Sequence, residues 1–244
     1  MAARAALASV TVYGPPTSRV CKVLWALGEA NIPCTRVETP IPQLKQDRSY
    51  LALNPKGTVP TAVFDLRTGA GPGTALVLNE SNTIVSYVAQ GLDPRPDGLN
   101  PGSAEDTALA WQWLEYGEST VAARLSPVWT GLVRGLAYPP LPGSKAEAVR
   151  SEASGKVVSM NGARVGRALE AWEAVDAHLA PRAFVGGARL TMADVTLGVH
   201  ANRLFHLPEA EVGDLRARFP HVAAWYARLL ERPHYQAIVP FGGP

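Results

Sequence analysis

Apolar positions recur with two different periods along this chain, and the change falls near residue 100. In the first portion short β-branched runs alternate with longer amphipathic ones. SVTVY (9–13) predicts a strand. Residues 18–30 set Val20, Val23, Leu24 and Leu27 at helical spacing and predict a helix. CTRVET (34–39) predicts a second strand, ended by Pro40 and Pro42. Residues 43–53 predict a helix that stops before Asn54-Pro55, because a residue preceding proline is pushed out of helical backbone. TAVFDL (61–66) and ALVLN (75–79) predict strands joined by a hairpin through the Gly-rich RTGAGPGT. ESNTIVSYVAQGL then predicts a helix closing near Gly91.

The predicted order is β-α-β-α-β-β-α. A β-α-β start pairs its strands in parallel through a right-handed crossover, and the closing hairpin adds antiparallel strands. GLDPRPDGLNPGS (91–103) holds three Pro and three Gly and predicts a linker. Beyond it the pattern is helical: 104–125, 127–136, a break at YPPLPG (138–143), then 157–180, 192–206 and 214–231, with no convincing strand, repeat or heptad. The expected organisation is an α/β domain over 1–90, a linker over 91–103 and an all-helical domain over 104–244.

Composition narrows the classes of function. Apolar residues make up 47% of the 244 and charged residues 18%, a globular balance. Residues 1–90 carry 8 basic and 5 acidic side chains and residues 91–244 carry 15 and 16, so neither portion has the basic excess of a nucleic-acid binder. No apolar run approaches the roughly 18 residues of a membrane span. Two cysteines, Cys21 and Cys34, cannot build a disulfide framework and point to a reducing compartment. The opening MAARAALASV lacks the apolar core of a secretion signal and reads as a short native lead-in.

Three short motifs could carry chemistry. GPPTSRVCKVL (14–24) gathers Thr17, Ser18 and Cys21 at a helix start, where unpaired N–H groups and the helix dipole stabilise an anion such as a thiolate. Either hydroxyl could equally be a simple N-cap. NPKGTVPT (54–61) ends a helix, turns at Gly57 and opens a strand at Val59-Pro60. A cis bond there would expose the backbone N–H and C=O of Val59, although few X-Pro bonds are cis. NESNTI (79–84) puts Glu80 and Ser81 at a strand-to-helix turn, which suits a carboxylate ligand or, more blandly, another cap.

These three motifs, in this order and ahead of a helical second half, resemble the glutathione transferase family over nearly the whole chain. The resemblance implies a thioredoxin-like glutathione-binding domain followed by a helical domain. It implies that Val59, before the turn proline Pro60, pairs its backbone with the cysteinyl part of glutathione. Glu80 and Ser81 would bind the γ-glutamyl end, the carboxylate of Glu80 meeting the ammonium and Ser81 the carboxylate. Lys45 or Lys56 would meet the glycyl carboxylate. At the catalytic position the chain is similar to the serine-type members, the phi and zeta classes among them, with Ser18 first and Thr17 close behind as donor to the glutathione sulfur. Tyr13, on the strand, ranks third. In the frame of the Cys-x-x-Cys relatives the two cysteine positions fall on Thr17 and Val20. This argues against a dithiol mechanism and leaves Cys21 and Cys34 to packing.

In the second half, Thr191-x-x-Asp194 forms a capping box, with Leu190 and Val195 set as a hydrophobic staple. Asp194 is therefore expected to be structural, and its loss to cost about 1 kcal/mol or more. The family's corresponding first helix lines the electrophile's cleft, so Trp111, Trp113, Tyr116 and Trp129 are candidates for an apolar pocket, or else for core or dimer packing. His200 and His206 have no metal-like spacing with Cys or acids, and no metal is expected. The expected function is transfer of the glutathione thiolate to a hydrophobic electrophile by a cytoplasmic enzyme, a homodimer by resemblance, with glutathione as its co-substrate. Glutathione-dependent peroxide or disulfide reduction is the alternative, and a non-catalytic binding module a second one.

Overall fold

The computed structural model describes residues 6–67, 73–133, 147–150, 157–160 and 162–239. By its internal contacts the chain divides into two compact units, Met1–Gly102 and Ser103–Pro244.

The first unit is a four-stranded mixed sheet in the order β2-β1-β3-β4. β1 (Ala6–Tyr13) pairs in parallel with β2 (Thr35–Val37) and antiparallel with β3 (Thr61–Arg67), which pairs antiparallel with β4 (Thr74–Asn79). The parallel pair and the closing antiparallel strands match the sequence pattern; the tip of the hairpin loop lies outside the described residues. Val10 and Val12 on β1 and Ala62 and Phe64 on β3 are buried, as period-2 alternation requires. Against them lie α1 (Cys21–Glu29) and α4 (Ser81–Tyr87), which pack on each other; Phe64 meets Tyr87 edge-on at 4.9 Å. The helix expected over 43–53 is two helices, α2 (Ile41–Leu44) and α3 (Arg48–Leu53). Asp47 separates them by capping α3, accepting from the N–H groups of Ser49 and Tyr50.

The expected linker is tied down rather than loose. Asp93 is buried and receives the guanidinium of Arg95 on both oxygens, at 2.8 Å each. The same guanidinium donates to the carbonyl of Glu29 at the C-terminus of α1, where a cation complements the dipole. Burial pushes the Asp93 carboxyl up, but the hydrogen bonds and charge of Arg95 prevail and hold it below the usual carboxylate range.

The second unit is built on helices, with one addition. β5 (Glu147–Arg150) and β6 (Val157–Met160) form a two-stranded antiparallel ladder, so the helix expected from 157 begins later, as α7 (Gly162–Leu179). The β-branched pair Val157-Val158 favours the extended state over helix. α5 (Ala104–Tyr116) and α6 (Ala123–Leu132) are joined through a wide i→i+5 turn at Gly117–Ala122, and the helix runs through Pro127 where a division had been expected. The expected break at 138–143 lies outside the described residues. α8 (Met192–Leu204) forms the core: of its 13 residues only Arg203 is not buried. The run 214–231 is divided at Phe219-Pro220 into α10 (Leu215–Arg218) and α11 (Pro220–Leu230), following a short α9 (Glu209–Val212). The chain then ends its described part with α12 (Pro233–Gln236). Among the described residues no helix is long and apolar enough to cross a membrane.

Candidate active site

At the start of α1 the sequence folds into a wide turn, Pro16–Val20. Two consecutive prolines, Pro15 and Pro16, fix the entry, since their φ is preset and no N–H is lost from a ladder. Ser18 has extended backbone (φ −101°, ψ −167°), and its Oγ accepts the N–H of Val20 at 3.3 Å. That combination marks an N-cap. Its own hydroxyl proton goes to the carbonyl of Pro15 at 2.7 Å, so both of its local hydrogen-bonding roles are filled by backbone. Thr17 differs. It is exposed, and its hydroxyl has no hydrogen-bond partner among the described residues. Cys21 is fully buried in α1, while Cys34 is half-buried with its thiol pushed up by burial, Arg36 opposing, and neither is in a disulfide. Tyr13 ends β1 and packs against Tyr50 at 5.6 Å between ring centroids.

The second motif forms the turn between α3 and β3. The Val59-Pro60 bond is cis. Neither the N–H nor the C=O of Val59 has a hydrogen-bond partner among the described residues, which leaves an open donor–acceptor pair on a half-buried backbone. Gly14 makes room for it. At φ +115° a side chain there would be strained, and a Cβ would stand 2.7 Å from Val59 Cβ. Gly14→Ala is therefore expected to lower stability by about 1–3 kcal/mol, through overpacking plus the left-handed backbone. Urea denaturation monitored by Trp fluorescence would measure it, and a wild-type midpoint would refute the close approach.

A buried polar network holds this turn. Asn54 Nδ2 donates to the Thr58 carbonyl at 2.8 Å and lies 3.1 Å from Thr61 Oγ1. Its Oδ1 accepts the N–H of Lys56 at 3.2 Å. The Tyr50 hydroxyl donates to the Thr58 carbonyl and lies 2.8 Å from Thr61 Oγ1. Thr61 Oγ1 in turn donates to Asn79 Oδ1 at 2.8 Å, reaching the residue before Glu80. None of Tyr50, Asn54, Thr61 or Asn79 stood out in the sequence as site-forming. Asn54, Thr61 and Asn79 stood at the ends of the quoted motifs, Asn54 read only as a helix stop, and Tyr50 lay outside them.

The third motif closes the same face of the unit. Glu80 adopts φ +71°, ψ +122°, a sparsely populated conformation for a residue with a Cβ, of the kind that clusters at functional sites. It is exposed, and its carboxylate is ion-paired with the Lys56 ammonium. Ser81, the first residue of α4, is buried, and its hydroxyl carries no hydrogen bond among the described residues. Lys45 is exposed at the end of α2; a Cβ on Gly57 would stand 3.2 Å from its Cγ, so its stem lies over the turn that carries Val59. Thus Lys56, Val59 and Pro60 share one turn with Lys45 lying over it, and Lys56 ties the turn to Glu80, next to Ser81. Gly14, against Val59, links that turn to the strand end preceding Thr17 and Ser18.

The aromatic candidates lie in the second unit. The Tyr116 hydroxyl donates to the carbonyl of Ala171 at 3.0 Å, and its ring meets Trp113 edge-on. Trp113 stacks on His178 at 4.0 Å. Trp129 is buried with the Arg203 guanidinium 5.1 Å over its ring. These three make contacts within the second unit, and Trp111 on α5 is half-exposed. A buried histidine also acquires a partner the sequence did not suggest: His200 Nε2 is 3.3 Å from Glu118 Oε1, delivered by the wide turn between α5 and α6. Among the described residues no group of three or more His, Cys, Asp or Glu could hold a metal ion.

Comparison with known proteins yields a consistent set. Residues 19–90 match the family model described as glutathione S-transferase, N-terminal domain, and residues 150–228 the one for the C-terminal domain. Glutathione S-transferase 1 of Zea mays is 31% identical over 189 residues, covering 78% of this chain and 75% of that one. GstB of Escherichia coli K12 is 27% identical, covering 94% and 97%. Among solved structures, a theta-class glutathione S-transferase of Xanthomonas axonopodis pv. citri with glutathione bound is 32% identical and superposes with a TM-score of 0.71, covering 95% of this chain and 97% of that one.

Proposed function

The chain belongs to the glutathione transferase family, and from that premise we propose that it conjugates the thiolate of glutathione to a hydrophobic electrophile. The observation that carries the reading is the open backbone pair of Val59 on its cis-proline turn, with Thr17 at one end of the face and Glu80-Ser81 at the other. An extended tripeptide offers a matching N–H and C=O, and main-chain pairing fixes it without regard to side chains. Its γ-glutamyl carboxylate goes to the Ser81 hydroxyl and the first N–H groups of α4, and its ammonium to Glu80. Its glycyl carboxylate goes to Lys45, because Lys56 is already paired with Glu80. The sulfur then lies by the start of α1, where the Thr17 hydroxyl donates to it and holds it as thiolate at neutral pH.

The chemistry is positioning plus stabilisation of the co-substrate's anion. No protein group is covalently modified: the glutathione sulfur forms the new bond to carbon, the electrophile's leaving group departs, and the thiol proton has already left to solvent. Glutathione is the only co-substrate this reading requires. Trp111 is the aromatic proposed to face the electrophile. A homodimer in the cytoplasm is proposed, in keeping with the family and with two cysteines outside any disulfide.

Calorimetric titration with glutathione tests the binding half of this proposal. Glu80→Gln is expected to weaken it about ten- to a hundredfold, the range for a hydrogen bond to a charged partner. An unchanged affinity would remove Glu80 from the site. Assays with a model aryl halide and with a hydroperoxide test the chemistry; turnover of the hydroperoxide alone would replace conjugation by reduction.

A further inference from the structure

Thr58 and Val59 share one trans peptide unit, since the cis bond lies one residue later. In a planar trans peptide the C=O and the N–H point in opposite directions. Whatever holds the Thr58 carbonyl therefore also aims the Val59 N–H, the donor of the open backbone pair. Two buried side chains hold that carbonyl. Asn54 Nδ2 donates to it at 2.8 Å, and the Tyr50 hydroxyl donates to it as well. Both donors are firmly mounted. Tyr50 leaves α3 at the turn capped by Asp47, and its ring packs against Tyr13 at 5.6 Å. Asn54 is fixed through its Oδ1, which accepts the Lys56 N–H at 3.2 Å. A carbonyl that accepts two hydrogen bonds is polarised, and the N–H at the far end of the same amide becomes a stronger donor. The Tyr50 bond is not needed to satisfy the turn. Without it the Thr58 carbonyl still accepts from Asn54, and Thr61 Oγ1 still meets Asn54 Nδ2 at 3.1 Å and Asn79 Oδ1 at 2.8 Å.

We propose that Tyr50 is a positioning residue for glutathione: its hydroxyl, together with Asn54, fixes and polarises the Thr58–Val59 peptide so that the Val59 N–H donates to a carbonyl of the bound tripeptide. Tyr50 acts through the peptide rather than on the ligand. The role rests on the reading that Val59 pairs with glutathione, and it adds which side chains prepare that pair. A main-chain bond of this kind is made alike in the ground state and the transition state, so Tyr50 governs KM and leaves kcat alone. The bond also lies away from the reacting sulfur, so a thioether of glutathione depends on Tyr50 as much as the thiol does.

Tyr50→Phe tests this, read by calorimetry, by steady-state kinetics and by the amide nitrogen–proton correlation spectrum of the whole chain. The variant keeps the ring and orphans no polar group of the described network, so its thermal midpoint should fall by only about 2–4 °C. Affinity for glutathione and for S-methylglutathione is expected to fall by the same factor, about three- to tenfold, the range for one hydrogen bond. KM for glutathione should rise with it while kcat stays at wild type. Glutathione should move the Val59 amide proton of the wild-type protein downfield, and Tyr50→Phe should move the same proton upfield before any ligand is added. Wild-type affinity in the variant, weakening of the thiol but not the thioether, a loss in kcat at unchanged KM, or an unmoved Val59 amide in the unliganded variant would each overturn the role of Tyr50 and leave the Val59 pairing standing. A wild-type Val59 amide that ignores glutathione would instead remove the pairing, and this role with it.

Discussion

Asp194→Ala is expected to lower the free energy of unfolding by about 3–5 kcal/mol, the range for leaving several buried donors without their charged acceptor. The side chain is completely buried and is the acceptor for five groups from three places in the chain. Its Oδ2 takes the Thr191 N–H at 2.8 Å and the Thr191 hydroxyl at 3.1 Å, completing the capping box, and the Gly186 N–H at 3.4 Å. Its Oδ1 takes the N–H of Val185 at 2.6 Å and the Trp225 indole N–H at 2.9 Å. Burial pushes the carboxyl's pKa up while these donors pull against it. Truncation to alanine leaves all five donors without their acceptor. A lost cap alone costs only about 1 kcal/mol, so the excess measures the contribution of Val185, Gly186 and Trp225. Asp194→Asn keeps one acceptor oxygen but turns an N–H toward one set of donors, and it should recover only part of the loss. Urea denaturation decides the matter: a loss near 1 kcal/mol would confine Asp194 to capping. Glutathione affinity of the folded fraction should be unchanged, since the residue touches none of the site proposed on the first unit.

Asp194 also shows where sequence reading stops. Thr191-x-x-Asp194 was legible because a capping box is local, with both partners inside one helical turn. Val185 and Trp225 were not, because they reach the same carboxylate from 9 and 31 residues away. The same division runs through the candidate site. The cis turn, the strained glutamate position and the helix start were all visible as motifs. The network beneath them was not: Tyr50, Asn54, Thr61 and Asn79 are scattered over thirty residues and meet only after β3 has paired with β4. Alternation placed the strands well, since one-sided burial enforces period 2. Helix boundaries fared worse wherever a single side chain intervened, as Asp47 does between α2 and α3. The β5–β6 ladder escaped notice because a four-residue strand carries too little pattern to compete with the helical runs around it.

Thr17→Ala is expected to reduce kcat/KM for conjugation by about 10²–10³, the typical effect of removing one preorganised donor from a developing or stabilised anion. Sequence alone could not separate Thr17 from Ser18, and placed Ser18 first. We propose the reverse order. A serine hydroxyl has one proton, and in Ser18 that proton bonds the Pro15 carbonyl while the oxygen accepts from Val20. To serve a ligand sulfur Ser18 would have to abandon its cap, at a cost of about 1 kcal/mol. Thr17 abandons nothing, being exposed and without a competing partner among the described residues. Two variants therefore separate along different axes. Ser18→Ala should lose about 1 kcal/mol of stability and keep kcat/KM near wild type. Thr17→Ala should keep its stability, lose turnover, and let the pKa of bound glutathione, followed by thiolate absorbance, climb back toward the ~8.5 of an ordinary thiol. Thr17→Ser, which retains the hydroxyl, should restore both. Loss of turnover in Ser18→Ala with none in Thr17→Ala would return the donor role to Ser18 and mean that the cap opens when glutathione binds.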